Sequence, residues 1–130
     1  MELNKSIENV KKAIIELREE NIKIPIIVEG DKDVIALHHL DINGIIITVN
    51  SGISLTNFCD KLTKYKEIII LTDWDRKGGY LAHTIRKNLE GRVICNLYYR
   101  ELFAKNTMIK TVEGLPSWIK TMNGKNHKLT

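Results

Sequence analysis

The sequence predicts an α/β fold, an open sheet of about four parallel strands with helices on both faces. Four short apolar runs alternate along the chain with segments of helical periodicity. The runs are continuously apolar, which is typical of strands that are buried on both sides. The connections between them are short, as in domains built from repeated strand–helix units. The 130 residues, 43% of them hydrophobic, are enough for one domain, 1–130, with its own core.

The first part of the chain alternates helix and strand twice. Residues 4–20 place apolar side chains at helical spacing and predict an N-terminal helix. Ile24–Val28 is a continuous apolar run and predicts the first strand. Asp33–Leu40 has one apolar side and predicts a second helix. Ile45–Val49 then predicts the second strand.

The same alternation continues after a turn at Gly52. Ile53–Leu62 predicts a helix, and the apolar run Ile68–Leu71 predicts the third strand. Gly78–Leu89 predicts a further helix, and Val93–Cys95 a fourth strand. Helices separated by parallel strands are expected on both faces of one sheet.

The last part of the chain is predicted to be helical and then polar. Residues 98–122 read as an extension of one or two short helices, and residues 123–130 as a frayed tail. We place the boundaries of the α/β core at about 24–97.

Composition and charge exclude several classes of protein. No run approaches the roughly 18 apolar residues of a membrane helix, and residues 1–5 lack the features of a signal peptide, so we expect a cytoplasmic protein without membrane contact. Cys and His are never paired at the spacing of a zinc site. The net charge of +4 is compatible with a polyanionic partner and does not require one.

Acidic side chains follow two of the predicted strands. Glu29 follows the first, and Asp73 and Asp75 follow the third. Ligands of open α/β sheets gather at the carboxyl ends of the strands, and alternate side chains of an extended segment point the same way. Three carboxylates so close repel one another unless a cation lies among them, and ligand sets of oxygen alone favour Mg²⁺ or Mn²⁺. Such an ion leaves positions for a substrate phosphate.

A structural interpretation of the same residues is equally open at this point. Acidic residues at strand ends also cap the next helix, and Asp31 or Asp33 has the right position for that role. Two aspartates separated by one residue are by themselves a weak signal. Trp74, between them, is expected to point away from the acids and to pack.

Three motifs together resemble the Toprim domain, the catalytic module shared by topoisomerases, bacterial-type primases, the ribonuclease that matures 5S ribosomal RNA, and recombination-repair proteins. The first is the apolar strand Ile26–Gly30, followed by Asp33. The second is a strand and glycine turn, Thr48–Gly52, and the third is the DxDRxG sequence Asp73–Gly78. The resemblance extends to about Cys95 and is closest to the small stand-alone Toprim proteins of archaea. It implies the Rossmann-like Toprim sheet.

The resemblance also implies roles for individual residues. Glu29 would act as general acid and base and contact a metal, while Asp73 and Asp75 would coordinate one or two Mg²⁺ ions, with Mn²⁺ as a substitute. Gly30 and Gly78 would allow close approach of the backbone to phosphate. Four further residues would bind phosphate or support the metal ligands: Asp33, Gly52, Arg76 and Lys77.

One position departs from the family pattern. Topoisomerases carry a third acid two residues after the second aspartate, and here that residue is Lys77. Primases and the ribonuclease branch also lack an acid there, so the substitution does not exclude activity. Lys77 is expected to contact phosphate instead.

We therefore expect a Mg²⁺-dependent phosphotransfer domain that acts on nucleic acid as a nuclease-like phosphodiester hydrolase, with RNA favoured over DNA by analogy with the ribonuclease branch. The alternative is a non-catalytic module that binds metal and nucleic acid within a larger assembly. A receiver domain is disfavoured, because Glu29–Asp31 is not an adjacent acidic pair and no lysine follows the fourth strand.

Overall fold

The structure is a computed structural model that describes residues 2–49 and 52–129, with side chains up to residue 124. Six helices and four strands alternate within these ranges. None of the described helices combines the length and the apolar character needed to cross a bilayer. The elements are α1 (Leu3–Glu20), β1 (Ile26–Val28), α2 (Asp31–His39), β2 (Ile46–Thr48), α3 (Leu55–Leu62), β3 (Glu67–Ile70), α4 (Arg76–Leu89), β4 (Ile94–Asn96), α5 (Tyr98–Asn106) and α6 (Leu115–Leu129).

The four strands form one parallel sheet in the order β2-β1-β3-β4. The predicted α/β fold with four parallel strands is therefore confirmed. Strand β1 lies in the middle of the sheet and pairs with β2 on one side and β3 on the other. Because parallel strands end at the same edge, the residues that follow β1 and β3 become neighbours.

Alternate side chains of the central strands enter two separate hydrophobic clusters. Val28 and Leu71 face a cluster that contains buried residues of α1, α2 and α5. Ile27 and Ile70 face the other cluster, which contains buried residues of α3 and α4. Helices thus cover both faces, which explains why the strands read as unbroken apolar runs.

Three helices begin two residues, about half a turn, away from the position predicted. Helix α2 begins at Asp31 instead of Asp33, and α4 begins at Arg76 instead of Gly78. In both cases an acidic residue that follows the strand lies at the start of the helix: Asp31 is the first residue of α2, and Asp75 is the N-cap of α4. Helix α3 begins later than predicted, at Leu55, because the Ser54 hydroxyl accepts a hydrogen bond from the Asn57 N–H and caps it there.

The C-terminal extension consists of α5 and α6 and packs on the α1 side of the sheet. Helix α6 contains Pro116 in its first turn, where the missing N–H costs no hydrogen bond. The helix then continues to Leu129, so the backbone of residues 123–129 is helical where we expected a frayed tail. No proline follows Pro116, and nothing in the covalent chain therefore interrupts the backbone hydrogen bonds.

Asn21 joins the end of α1 to the start of β1 and β2. Its side-chain amide donates to the carbonyl oxygens of Ile24 (2.9 Å) and Ile45 (3.0 Å), and its Oδ1 accepts from the Gly44 N–H (2.8 Å). Asn21 is 1% exposed. A side chain on Gly44 would overlap the Asn21 backbone carbonyl, so the two segments are in direct contact.

Replacing Asn21 with alanine is expected to lower the free energy of unfolding by about 2–4 kcal/mol, because three part-buried hydrogen bonds are lost and only the Ile45 carbonyl keeps another partner, the Ile26 N–H. Urea denaturation of the full chain measures this. The exposed Asn4→Ala variant of α1 is the control and should lie within about 0.5 kcal/mol of wild type. Equal midpoints for the two variants would contradict the role of Asn21.

Candidate functional site

A hydrogen bond between side chain and backbone links the ends of β1 and β3. Glu29 follows β1 directly, and its Oε2 accepts a hydrogen bond of 2.8 Å from the backbone N–H of Asp73. The two acidic residues come from adjacent parallel strands. The convergence expected from the sequence, which depended on the strand order, is therefore present.

The backbone and side chain of Asp73 are held from three directions. Its Oδ1 accepts from the Val112 N–H (2.9 Å), and its carbonyl oxygen accepts from Nε (3.2 Å) and Nη2 (2.9 Å) of Arg100. Trp74, the next residue, donates from its indole Nε1 to the Ile109 carbonyl (2.7 Å). Trp74 is buried in the cluster on the α1 side, so it packs as expected. The segment 109–112 and α5 thus fix the end of β3.

Asp75 is turned toward the start of α4. Its Oδ1 accepts from the Gly78 N–H (2.7 Å) and caps the helix. The buried Thr72 hydroxyl donates to the Gly78 carbonyl (2.8 Å). Gly78 lies against the Asp73 backbone so closely that a Cβ would overlap the Asp73 carbonyl oxygen. The glycine of the DxDRxG sequence is therefore required by contact between the helix and the strand end.

Asp33 caps the helix that follows Glu29. Its Oδ2 accepts from the Gly30 N–H (3.1 Å), and its own N–H donates to the Gly30 carbonyl (3.1 Å). Asp33 is also buried, at 7% exposure, and it lines the same cavity as Glu29. Asp33 therefore caps the helix and also lines the cavity, while its role at the site stays a prediction.

Glu29, Asp33 and Asp73 border an open cavity of about 610 Å³ at the carboxyl edge of the sheet. Glu113, which sequence reasoning missed, lies on its wall. Nothing in the local sequence points to Glu113, because its place at the cavity depends on how the segment before α6 packs against Asp73. Arg100 was missed too, since nothing local distinguishes it from other basic residues on helices. The lining residues are Glu29, Gly30, Asp31, Lys32, Asp33, Val49, Asp73, Lys77, Leu81 and Glu113.

The electrostatics of the cavity disfavour ionised acids without a counterion. Burial raises the pKa of Asp73, and the charges of Glu29, Asp75 and Glu113 raise it further, against the hydrogen bond from Val112. Burial also raises the pKa of Asp33, and Asp73 and Glu113 add to that shift against the hydrogen bond from Gly30. A cation in this cavity would relieve the repulsion that raises both values.

Four other predicted residues have peripheral positions. Lys77 is exposed and lines the cavity, whereas Arg76 and Asp75 are not among its described lining residues. Gly52 has a φ of 79°, the left-handed conformation that favours glycine, and it also does not reach the cavity. Asn50 and Ser51, which belong to the second motif Thr48–Gly52, lie outside the described residues.

The residues present fit a hard divalent cation by their chemistry. Among the side chains described, those of residues 2–49 and 52–124, no three His, Cys, Asp or Glu are arranged together as metal ligands. The donors in the cavity are carboxylates, the ligands that Mg²⁺ and Mn²⁺ prefer. The recorded hydrogen bonds of Glu29 and Asp73 each use one oxygen, and a carboxylate has a second with which to bind a cation.

Comparison with known families matches residues 24–106 to the Toprim domain. The chain belongs to the Toprim family. The match begins before β1 and runs to the end of α5, so it includes Arg100 and ends before Val112 and Glu113. Membership implies a metal-binding function related to nucleic acid. The predicted resemblance is thereby confirmed.

Relatives of this Toprim protein are small archaeal proteins. It is 45% identical over 102 residues to a UPF0292 protein of Thermoplasma volcanium, a match that covers 77% of this chain and 86% of the relative. It is 38% identical over 118 residues to a UPF0292 protein of Methanocaldococcus jannaschii, covering 86% and 91%. Among solved structures, a putative protein from Aquifex aeolicus superposes with a TM-score of 0.69 at 25% identity, covering 79% of this chain and 94% of that one.

The contact between Gly78 and Asp73 predicts a difference between two adjacent glycines. Gly78→Ala is expected to lower the free energy of unfolding by about 3 kcal/mol or more, because the added methyl meets backbone that is fixed in the sheet. Gly79→Ala meets only the end of the Arg100 side chain, at 3.2 Å, and should change stability by about 1 kcal/mol or less. Chemical denaturation measures the free energy of unfolding of both variants. Similar losses of stability would contradict the close contact between Gly78 and the Asp73 backbone.

The raised pKa of Asp73 predicts how stability depends on pH in the metal-free protein. The pKa of Asp73 in the folded protein lies above its ordinary value of 3.8, so the unfolded chain releases this proton more readily and ionised Asp73 destabilises the fold at neutral pH. That cost disappears as the pH falls through the folded pKa toward the unfolded one. Asp73→Asn keeps an oxygen for the Val112 N–H and removes the charge.

Thermal unfolding in EDTA is therefore expected to show Asp73→Asn more stable than wild type at about pH 7, with the difference gone at about pH 4. Glu90→Asn, at the exposed end of α4, is the control for removal of a charge. A lower melting temperature of Asp73→Asn at neutral pH would show that repulsion is not the dominant effect.

Proposed function

We propose that this protein is a Mg²⁺-dependent phosphotransfer domain that hydrolyses phosphodiester bonds of nucleic acid. The observation that carries the proposal is the joining of Glu29 and Asp73 across β1 and β3 at the wall of one acidic cavity. Membership of the Toprim family supplies the chemical class, and the cavity supplies oxygen donors of the right kind.

The metal would be held by Asp73, Asp75 and Glu29. Such an ion polarises a phosphodiester and lowers the pKa of bound water. Asp73 is fixed from both its backbone and its side chain, so it can present an oxygen without reorganisation. Asp75 must exchange or share its contact with Gly78, using its second oxygen. Glu113 adds negative charge that favours a cation at the same place.

Glu29 would move the proton. It lies at the cavity wall, half-buried, with one oxygen fixed by the Asp73 N–H and the other available to water or to a leaving oxygen. Lys77 lines the same cavity from the first turn of α4 and would contact substrate phosphate. The cavity thereby carries a positive group suited to the phosphate oxygens as well as its acids.

Removing the proton-handling group or the fixed metal ligand is expected to reduce Mg²⁺-dependent cleavage of structured RNA by about 10²-fold or more, since general acid–base catalysis contributes on that scale. Glu29→Gln and Asp73→Asn test this against Glu90→Gln, an exposed acid at the far end of α4. Reactions contain Mg²⁺, Mn²⁺ or EDTA, with RNA and DNA compared directly. Cleavage by both variants at the wild-type rate would contradict the hydrolase.

A non-catalytic module is the second candidate. It is favoured by Lys77, which stands where topoisomerases carry an acid, and by the lack of a preformed group of three ligands among the described residues. Mg²⁺-dependent binding of nucleic acid, with no turnover by wild type and with loss of binding in Asp73→Asn, would select this candidate over the hydrolase.

A further inference from the structure

Helix α4 carries the whole excess of positive charge of the chain. Its 14 residues include four Lys or Arg and no Asp or Glu. The complete chain has 20 basic and 16 acidic residues. Outside α4 there are therefore 16 of each sign, and the rest of the protein is neutral on balance. Charge that is concentrated on one helix creates a local field that overall net charge does not reveal.

Four of the exposed residues of α4 form a single stripe. Positions separated by four, three and four residues lie on one side of a helix, and all four such positions here are exposed. The opposite side is buried against the sheet through Gly78, Ala82, Ile85 and Leu89. We call the exposed side the α4 stripe, defined by Arg76, Tyr80, His83 and Lys87.

An aromatic ring lies within this basic stripe. Tyr80 is 71% exposed, so the apolar surface of its ring is left in solvent and is available to a ligand. Aromatic side chains beside Lys and Arg are the usual arrangement of surfaces that bind single-stranded nucleic acid, where bases stack on rings and cations contact phosphates. Lys87 is available for such a contact, because its pair with Glu90 is long (3.7 Å) and exposed, and pairs of that kind contribute little.

The α4 stripe begins next to the acidic cavity, because Arg76 lies in sequence between Asp75 and the cavity-lining Lys77. Asp75 caps the helix, and Lys77, in its first turn, lines the cavity. From Arg76 to Lys87 the helix rises by about 16 Å, which matches about five stacked nucleotides of one strand. A strand lying along the stripe would therefore reach the metal-binding carboxylates at one end.

We propose that the α4 stripe binds a single strand of nucleic acid and leads it to the cavity, with Tyr80 stacked on a base and Arg76, His83 and Lys87 at the phosphates. The inference rests on the proposed function for the class of ligand and adds the surface, the strandedness and the direction of approach. The nucleic-acid strand would lie on the exposed side of α4, which packs on the face of the sheet opposite to α1, α2 and α5.

The first test concerns Tyr80. Binding of labelled uridine and thymidine oligonucleotides of about ten nucleotides is measured by fluorescence anisotropy in EDTA, so that no cleavage occurs. Tyr80→Ala is expected to weaken binding roughly 5- to 150-fold, whereas Tyr80→Phe should bind within about 2-fold of wild type. A duplex of the same length should bind with no difference between Tyr80→Ala and wild type. Equal binding of the single strand by Tyr80→Ala would overturn the stacking role.

The second test concerns charge and uses a matched pair of double variants. Arg76→Gln with Lys87→Gln removes two charges from the α4 stripe, and Lys11→Gln with Lys12→Gln removes two exposed charges from α1 on the other face of the sheet. The slope of log affinity against log salt should fall by about 0.7 for each lost phosphate contact in the α4 variant. It should be unchanged in the α1 variant. Equal slopes in both variants would show non-specific attraction and overturn the proposal.

The two proposals fail separately. Binding that depends on the α4 stripe without any Mg²⁺-dependent cleavage would refute the hydrolase and support the binding surface. Cleavage that is unaffected by Tyr80→Ala and by the α4 double variant would support the hydrolase and refute the surface. Tight binding of polyglutamate that competes fully with the oligonucleotide and is equally sensitive to Tyr80→Ala would indicate an acidic protein partner and also overturn the proposal.

Discussion

The hydrogen bond from the Asp73 N–H to the Glu29 carboxylate determines the geometry of this site. It exists because β1 and β3 are neighbours in a parallel sheet, which the two-sided burial of both strands enforces. It brings together residues 44 positions apart in sequence and orients one carboxylate against the backbone of the other. Gly78 must be small for the same reason, since α4 begins on top of the Asp73 backbone. The motif residues are therefore spaced by the packing of the sheet as much as by chemistry.

This arrangement has an electrostatic cost that function can explain. Asp33 and Asp73 are partly removed from water and lie near further acids, and the pKa of each is raised. Backbone N–H groups compensate only in part, because each hydrogen bond neutralises less than a full charge. A divalent cation would compensate fully, and burial that destabilises the free carboxylates makes them stronger ligands. Sites of this kind trade stability of the empty fold for affinity, which a purely structural cluster would have no reason to do.

The sequence predicted what depends on local pattern and could not predict what depends on distant segments. The apolar runs predicted all four strands, and the acids after them predicted Glu29 and Asp73 at one edge, because strand ends in a parallel sheet share that edge. The helices whose first turns accept hydrogen bonds at Asp33 and Asp75 begin two residues, about half a turn, before the predicted positions. Arg100, Val112 and Glu113 reach the site only through the packing of α5 and the segment before α6, which no local periodicity encodes.

The opposite charges of the cavity and of α4 are compatible with one ligand. An acidic cavity alone repels a polyanion, and a basic helix alone attracts it without positioning it for chemistry. Because Asp75 caps α4, the helix begins where the acids end, and its first-turn Lys77 lies at the boundary between the two fields. A phosphate held along α4 would meet the cavity only when a cation has neutralised the carboxylates, so metal binding and strand entry would depend on each other. Asp75 belongs to the DxD sequence and also caps α4, so this one residue connects the acidic cavity with the basic helix.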